Sequence, residues 1–420
     1  MAIGLGCVAD DFTGATDLCN TLVRQGMRTV QLIDVPPPDL VVPDVDAVTI
    51  ALKTRTCPVE EAVAQSKAAM AWLRRAGARQ IFFKYCSTFD STAKGNIGPV
   101  ADALLDELGA DLTIACPAFP ETGRTIYQGH LFVGDTLLSD THMRDHPLTP
   151  MTDSSLVRVL ASQTRHKVGL VAYATVRQGA ATIEQRFAEL RAGGHRYAIV
   201  DAVTDADLLA IGQASADLAL VTGGSGVAMG LPENFRRAGI LAARQVADTL
   251  PKVAGPELVL AGSCSAATLA QIATFTAGRP SFRLSPVDEA RSAAAAIGWA
   301  RERLDQGPLL IYASAPPAEV KALQEKLGRD RAGALIEEAL AEVARALVEA
   351  GARRLVVAGG ETSGAVVKAL GIKGLQIGPQ IDPGVPATVT IGGAVPLALA
   401  LKSGNFGAME FFTKAFTVMP

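Results

Sequence analysis

The stretch Val8–Asp17, VADDFTGATD, decides how the start of this chain is to be read. An apolar run from Ile3 to Ala9, with Gly4 and Gly6 inside it, stops at two adjacent carboxylates, Asp10 and Asp11. Helix-start chemistry follows at once: Thr13 and Thr16 as candidate caps, Gly14 for a tight turn, and Asp17 in the first turn. A buried strand running straight into a helix is the opening of a βαβ unit. The two acids then sit at the carboxyl end of that strand, where open α/β sheets place their ligands. Their mutual repulsion becomes tolerable if cations lie opposite, or if one of them binds a substrate hydroxyl. The plainer reading of either acid is as a cap on the helix N-terminus, where negative charge is favoured.

The same alternation continues along the chain. Apolar runs at 3–9, 28–34, 46–52, 80–84, 111–116, 167–171, 196–201, 218–222, 257–261, 308–313, 354–358 and 387–391 predict strands. Amphipathic stretches such as 59–76, 97–108, 181–193 and 319–350 predict helices between them. Runs such as LTIAC and LVVAG are apolar throughout, as in strands buried on both faces. The fold class expected is α/β, with two domains, each a mostly parallel sheet flanked by helices, and an active site in the cleft between them. The seam is LAARQVADTLPKVAGP, 241–256, with a boundary near 250. That gives a first domain over 1–245 and a second over 256–420.

Composition narrows the function classes. The 420 residues are 49% hydrophobic with a formal net charge of −3 and no basic run, which leaves no electrostatic footprint for nucleic acid or a membrane surface. No apolar stretch reaches the roughly 18 residues of a membrane span. The N-terminus lacks a basic segment and carries acids where a signal sequence would be apolar, so a cytoplasmic location is expected. The six cysteines, at 7, 19, 57, 86, 116 and 264, form no CxxC pair and read as reduced, mostly buried thiols. A homodimer would be unsurprising.

Several strand ends carry polar residues. The third strand runs into Lys53, Thr54 and Arg55. The fourth runs into KYCSTFDSTAKGN, with Lys84, Asp90, Ser91, Thr92, Lys94 and Asn96. The fifth runs into CPAFPETGRTIYQGH, with Arg124, Gln128, Gly129 and His130. This mixture suits a small, anionic, hydroxylated ligand, with Arg55 and Lys84 for a carboxylate and Asp or Asn for hydroxyls. In the second half, AGSCSAAT (261–268), AGGETSGAV (358–366) and KSGNFG (402–407) are small-residue loops suited to cradling phosphate. There is no Walker A motif. Asp382, in IGPQIDPGVPAT (377–388), is placed on a turn, either as part of that turn alone or facing a metal or phosphate.

Two motifs invite other readings. VTGGSGVAMG, 221–230, resembles a dinucleotide loop, but its spacing is G-x-G-x-x-x-G and no acid is suitably placed downstream. It reads as a helix-opening loop. His142 and His146 stand at zinc-like spacing without the glutamate of HExxH, and Pro147 stops any helix.

The longer motifs VADDFTGATD, KYCSTFDSTAKGNIGPV, CPAFPETGRTIYQGHLFVG, HPLTPMTDS, VVAGGETSGAVVKALGI, IGPQIDPGVP and LALKSGNFG together resemble the four-carbon acid sugar kinases over essentially the whole chain. The resemblance implies an acid-sugar-binding first domain and a nucleotide-binding second domain. ATP, with Mg²⁺, would phosphorylate the terminal hydroxyl of a four-carbon sugar acid. The KYCSTFDST loop is similar to the subgroup acting on 3-oxo-tetronate. Threonate and erythronate kinases, the alternatives, carry Lys-x-Asp-Ser-Thr there, whereas five residues separate Lys84 from Asp90 here. The resemblance implies ATP contacts at Ser263, Ser265, Gly359, Gly360, Glu361, Thr362, Ser363, Gly364 and Gly404. The substrate set is Arg55, Lys84, Asp90, Ser91, Thr92, Asn96 and His130. Asp11 is expected to orient the attacking hydroxyl and take its proton, with Asp10 and Asp90 as alternatives. No metal-ligating residue is assigned. Outside the kinases stand a dehydrogenase using the 221–230 loop and a sugar-acid sensor without catalysis.

Overall fold

The computed structural model describes residues 3–420 except 39, 41, 147, 244, 245, 286, 317, 318, 320, 321, 323, 324, 326, 327 and 394. The chain divides into two compact units, Met1–Ala247 and Asp248–Pro420.

In the first unit the strands are β1 (Leu5–Ala9), β2 (Thr29–Ile33), β3 (Ala47–Ala51), β4 (Gln80–Lys84), β5 (Thr113–Cys116), β6 (Arg124–Tyr127), β7 (His130–Val133), β8 (Thr136–Leu137), β9 (Lys167–Val171), β10 (His195–Val200) and β11 (Leu220–Gly223). Eight of them form a parallel sheet in the order β2-β3-β1-β4-β11-β5-β10-β9. Leu5, Val8, Ile50, Phe82 and Ile114 are wholly or almost wholly buried, as expected of strands covered on both faces. Register is what builds the site. Ala9 pairs with both Ala51 and Lys84, Gly223 pairs with Lys84, and Gly223 also pairs with Cys116. Five neighbouring strands therefore end level, and their loops leave from one edge.

The segment after β5 folds into a three-stranded antiparallel sheet, β6-β7-β8. Buried Asp201 anchors its first turn, accepting the amides of Gln128 (2.7 Å), Gly129 (2.8 Å) and Tyr173 (2.8 Å). That turn needs the left-handed conformation, and Gln128 adopts φ +51° next to Gly129 at φ +71°.

The second unit contains β12 (Glu257–Ala261), β13 (Ser281–Arg283), β14 (Leu309–Tyr312), β15 (Arg354–Ala358), β16 (Gly374–Asp382), β17 (Val385–Ile391) and β18 (Ala398–Lys402). Their order is β13-β14-β12-β15-β18-β17-β16, parallel as far as β18 and antiparallel across β18-β17-β16. The segment 377–388 is thus mostly a β-hairpin rather than a loop. Pro379 lies at a shift in its register, and Pro383-Gly384 makes the turn with Gly384 at φ +76°. Asp382 closes β16 and is spent structurally, accepting the Ala408 amide at 2.8 Å and pairing with Lys414. Of the expected helix over 319–350, the helix Arg329–Glu349 is described, while 320, 321, 323, 324, 326 and 327 lie outside the described residues.

Candidate functional site

In the first unit the two adjacent acids are kept together by a shared cation. Arg55, on the loop after β3, donates Nε to Asp10 Oδ2 at 2.9 Å and Nη2 to Asp10 Oδ1 at 2.8 Å. The same Nη2 stands 2.8 Å from Asp11 Oδ1, and Nη1 faces Asp90 Oδ2 at 3.7 Å. A bidentate guanidinium–carboxylate pair fixes direction as well as charge. The loop is placed by backbone bonds from the Thr54 and Arg55 amides to the Asp10 carbonyl, at 2.9 and 3.2 Å. Asn96 secures it from below, donating Nδ2 to the carbonyls of Thr54 (2.7 Å) and Cys57 (2.9 Å).

The two acids do different work. Asp10 is buried and gives both oxygens to Arg55. Burial pushes its carboxyl up despite that pairing. Asp11 caps the helix Phe12–Arg24, taking the Gly14 amide at 3.0 Å on Oδ1 and the Thr13 hydroxyl at 3.0 Å on Oδ2. Burial also acts to raise Asp11, but Arg55 and Lys84, with those two hydrogen bonds, outweigh it and hold the group below its usual value. Asp11 keeps 27% of its side chain exposed against 7% for Asp10, so Asp11 is the acid a ligand can reach.

Lys84, the last residue of β4, is buried and donates to the Tyr85 carbonyl at 2.7 Å. Asp90 follows Phe89 on a strained turn, the two at φ +29° and +64°. Left-handed backbone at two successive non-glycine residues is costly and concentrates at functional sites. Asp90 Oδ1 accepts the Thr88 hydroxyl at 2.6 Å, and Ser91 Oγ donates to Gln163 Oε1 at 3.2 Å. Asp10, Thr54, Arg55, Asp90, Ser91 and Asn96 line one small cleft. Thr92 is half-buried, and its carbonyl accepts Gln163 Nε2 at 2.7 Å. His130 belongs to the small antiparallel sheet. Its Nδ1 pairs with the Gln128 carbonyl at 2.8 Å, and it shares no hydrogen bond or ion pair with the Asp10–Arg55 cluster among the described residues.

A residue that strand-end reasoning passed over also belongs to this edge. Ser225 Oγ donates to Asp17 Oδ2 at 2.6 Å. Burial raises the Asp17 carboxyl, opposed by the nearby Lys84. The signal was in the quoted stretch itself, since Asp17 lies six positions after Asp11. Its partner is 208 positions away along the chain. The 221–230 glycines, meanwhile, are accounted for by close packing. A Cβ on Gly223, Gly224 or Gly226 would stand 2.3, 2.7 or 2.5 Å from the carbonyl oxygens of Cys116, Pro117 and Ala118. His146 Nδ1 contacts the Thr149 hydroxyl at 2.9 Å and the Thr149 amide at 3.1 Å.

In the second unit the three glycine loops meet. A Cβ on Gly262 would lie 2.2 Å from Thr362 Oγ1, and one on Gly359 would lie 2.9 Å from the same atom and 3.2 Å from the Ser263 amide nitrogen. A Cβ on Gly404 would lie 2.2 Å from Ser263 Oγ and 3.1 Å from Ser265 Oγ. Gly359 is also at φ +132°, which L side chains rarely adopt. Ser265 caps the helix Ala266–Thr276, and Gly359 precedes the helix Gly360–Ala369. Helix starts leave their first N–H groups without intrahelical partners, which suits a polyanion. Thr362 and Ser363 are buried, with the Ser363 hydroxyl unpartnered among the described residues. Glu361 and Gly360 are exposed and Gly364 is half-buried. Overpacking of this kind costs roughly 1–3 kcal/mol. Gly404→Ala is therefore expected to lower the stability of the second unit by about 1–3 kcal/mol, read as a fall in the urea unfolding midpoint.

Among the described residues no group of three or more His, Cys, Asp or Glu could hold a metal ion, and no helix is long and apolar enough to cross a membrane. All six cysteines are free thiols, Cys7, Cys19 and Cys116 buried.

Comparison with known proteins agrees with the two-part geometry. A sugar-binding N-terminal domain matches residues 5–231, and a nucleotide-binding C-terminal domain matches residues 258–412. A 3-oxo-tetronate kinase of Burkholderia multivorans is 61% identical, over 99% of this chain and 97% of its own. One of Pseudomonas fluorescens is 62% identical, over 98% and 96%. A crystal structure of a Haemophilus influenzae protein superposes with a TM-score of 0.84 at 45% identity, covering 99% of this chain and all of that one.

Proposed function

This chain belongs to the four-carbon acid sugar kinase family, and on that premise we propose that it transfers the γ-phosphoryl group of ATP to the terminal (C4) hydroxyl of 3-oxo-tetronate, giving the 4-phosphate. What carries the reading is the acid–cation cluster at the β1, β3 and β4 ends, in the half that matches a sugar-binding domain. The half that matches a nucleotide-binding domain has three converging glycine loops. The name shared by relatives about 60% identical over nearly their whole length selects the acid.

Phosphoryl transfer passes through a loose, strongly anionic transition state, so the protein's task is positioning and neutralisation. Asp11 is the accessible carboxylate. It orients the C4 hydroxyl and takes its proton. A carboxylate held below its usual value is a weak base, and a loose transition state asks little of one until late in the transfer. Arg55 and Lys84 already neutralise Asp10 and Asp11. They meet the substrate carboxylate with the donors left over, Nη1 of Arg55 and the remaining N–H groups of Lys84. Asp90 and Ser91 face the remaining oxygens of the sugar acid, with Thr92 and Asn96 shaping the loop around them. The amides of Ser263, Ser265, Gly359 and Ser363 already donate within the fold, so the Cys264, Gly360 and Thr362 amides hold the phosphates, with Gly404 closing the third side.

Mg²⁺ fits this donor set as a cation carried mainly by phosphate oxygens and water, with Glu361 as the carboxylate nearest in sequence to the phosphate loop. Bound there it would supply neutralisation of the charge that develops on the transferring phosphoryl group.

The test is ADP release from Mg-ATP with 3-oxo-tetronate, threonate and erythronate in turn. The highest kcat/KM is expected for 3-oxo-tetronate. A preference for threonate or erythronate would move the substrate within the family, and ADP release with none of them would remove the kinase reading.

A further inference from the structure

The strand β18 ends in Lys402, which is fully buried and sits at the head of the third glycine loop. Its Nζ donates to Thr268 Oγ1 at 3.0 Å, to the Ser403 carbonyl at 3.1 Å and to the Gly404 carbonyl at 3.0 Å. The Gly404 carbonyl receives two further bonds, from Ser265 Oγ at 2.6 Å and Thr268 Oγ1 at 2.9 Å. Three donors converging on one oxygen leave its peptide plane little freedom.

Those bonds have a consequence on the other side of each peptide. In a trans peptide the N–H points opposite to the C=O. Fixing the Ser403 and Gly404 carbonyls toward Lys402 therefore turns the Gly404 and Asn405 amides away from it. Neither amide has an acceptor among the described residues. Gly404 itself lies against Ser263, at the convergence of the glycine loops. The charge points the same way. Lys402 has no ion-pair partner among the described residues, and a buried cation without an anion is expensive. Burial alone pushes its ammonium down to about 8.

We propose that Lys402 is the positioning residue of the nucleotide loop, holding the Ser403 and Gly404 carbonyls inward so that the Gly404 and Asn405 amides meet a phosphate oxygen of ATP. The bound polyphosphate supplies the counter-charge the lysine lacks within the protein. The inference rests on the kinase reading and adds a residue outside its ATP contacts.

Two measurements on the full chain test it, with Mg²⁺ and the non-hydrolysable analogue AMPPNP as probe. Hydrogen–deuterium exchange on the wild-type protein should show the 404–405 amides protected on addition of the nucleotide. By calorimetry, Lys402→Met should weaken AMPPNP binding about tenfold while 3-oxo-tetronate binding stays within twofold. Lys402→Gln, which can still donate to both carbonyls, should recover part of the loss. Should Lys402→Met fail to fold, Thr268→Val removes one of the three donors on Gly404 and should weaken AMPPNP about threefold. Unprotected 404–405 amides in the nucleotide complex, or AMPPNP affinity unchanged in these variants, would overturn the proposal and leave the kinase reading standing. A wild-type protein that binds no nucleotide at all would overturn both.

Discussion

Asp11→Asn is expected to lower kcat about 10²-fold, the low end of the usual worth of a positioned general base, with ATP affinity unchanged. The substitution is close to isosteric. An asparagine oxygen can still accept the Gly14 amide that caps the helix Phe12–Arg24, so the helix start survives. What is lost is the negative charge and the ability to accept a proton. The neighbouring acid gives the contrast. Both oxygens of Asp10 are committed to Arg55, so its loss should register first in stability. The two adjacent carboxyls are also driven in opposite directions, Asp10 up by burial and Asp11 down by the cations around it. Separation of that kind lets neighbouring acids take separate roles. An Asp11→Asn enzyme with wild-type kcat would transfer the role to Asp90.

Arg55→Met is expected to destabilise the first unit by about 3–5 kcal/mol, the range measured when one partner of a buried ion pair is removed. Urea unfolding monitored within residues 1–247 reads it. The reason is the shared geometry. One guanidinium bonds Asp10 twice, stands 2.8 Å from Asp11 and faces Asp90. Without it the clustered carboxylates Asp10 and Asp11 are left to Lys84 among the cations that act on them in the described residues. Arg55→Lys should recover little, because an ammonium cannot reproduce the fork that meets Asp10 through two nitrogens. A loss below about 1 kcal/mol, the scale of an exposed pair, would show that solvent and not Arg55 carries the charge of the acids.

Strands at 80–84, 257–261 and 354–358 were legible to the residue, because a strand buried on both faces is an apolar run with abrupt ends. β6, β7 and β8 were not, being two to four residues long with half-buried, mixed side chains that carry little periodicity. Most of β17 was read, over 387–391, but its partner β16 was hidden by Pro379 and Pro383, which occupy a register shift and a turn where no ladder amide is needed. β18 was obscured because ALALK runs into a glycine cluster that drew the reading toward a loop. In the site, the Asp10–Asp11–Arg55–Lys84 grouping could be read because the rule about strand ends is local and the register of β1, β3 and β4 is level. The Asp17–Ser225 bond could not, since nothing in either segment announces the other. The burial of Lys402 was equally silent, because its lack of an ion-pair partner among the described residues shows only in the packing.

The most direct test of the central claim is the position of the phosphate on the product. After incubation with Mg-ATP and 3-oxo-tetronate, the phosphorus resonance of the product should be split by the two methylene protons of C4, as the C4 phosphate requires. Splitting by a single proton, which places the phosphate on C2, or the absence of any organic phosphate beside ADP, would contradict it.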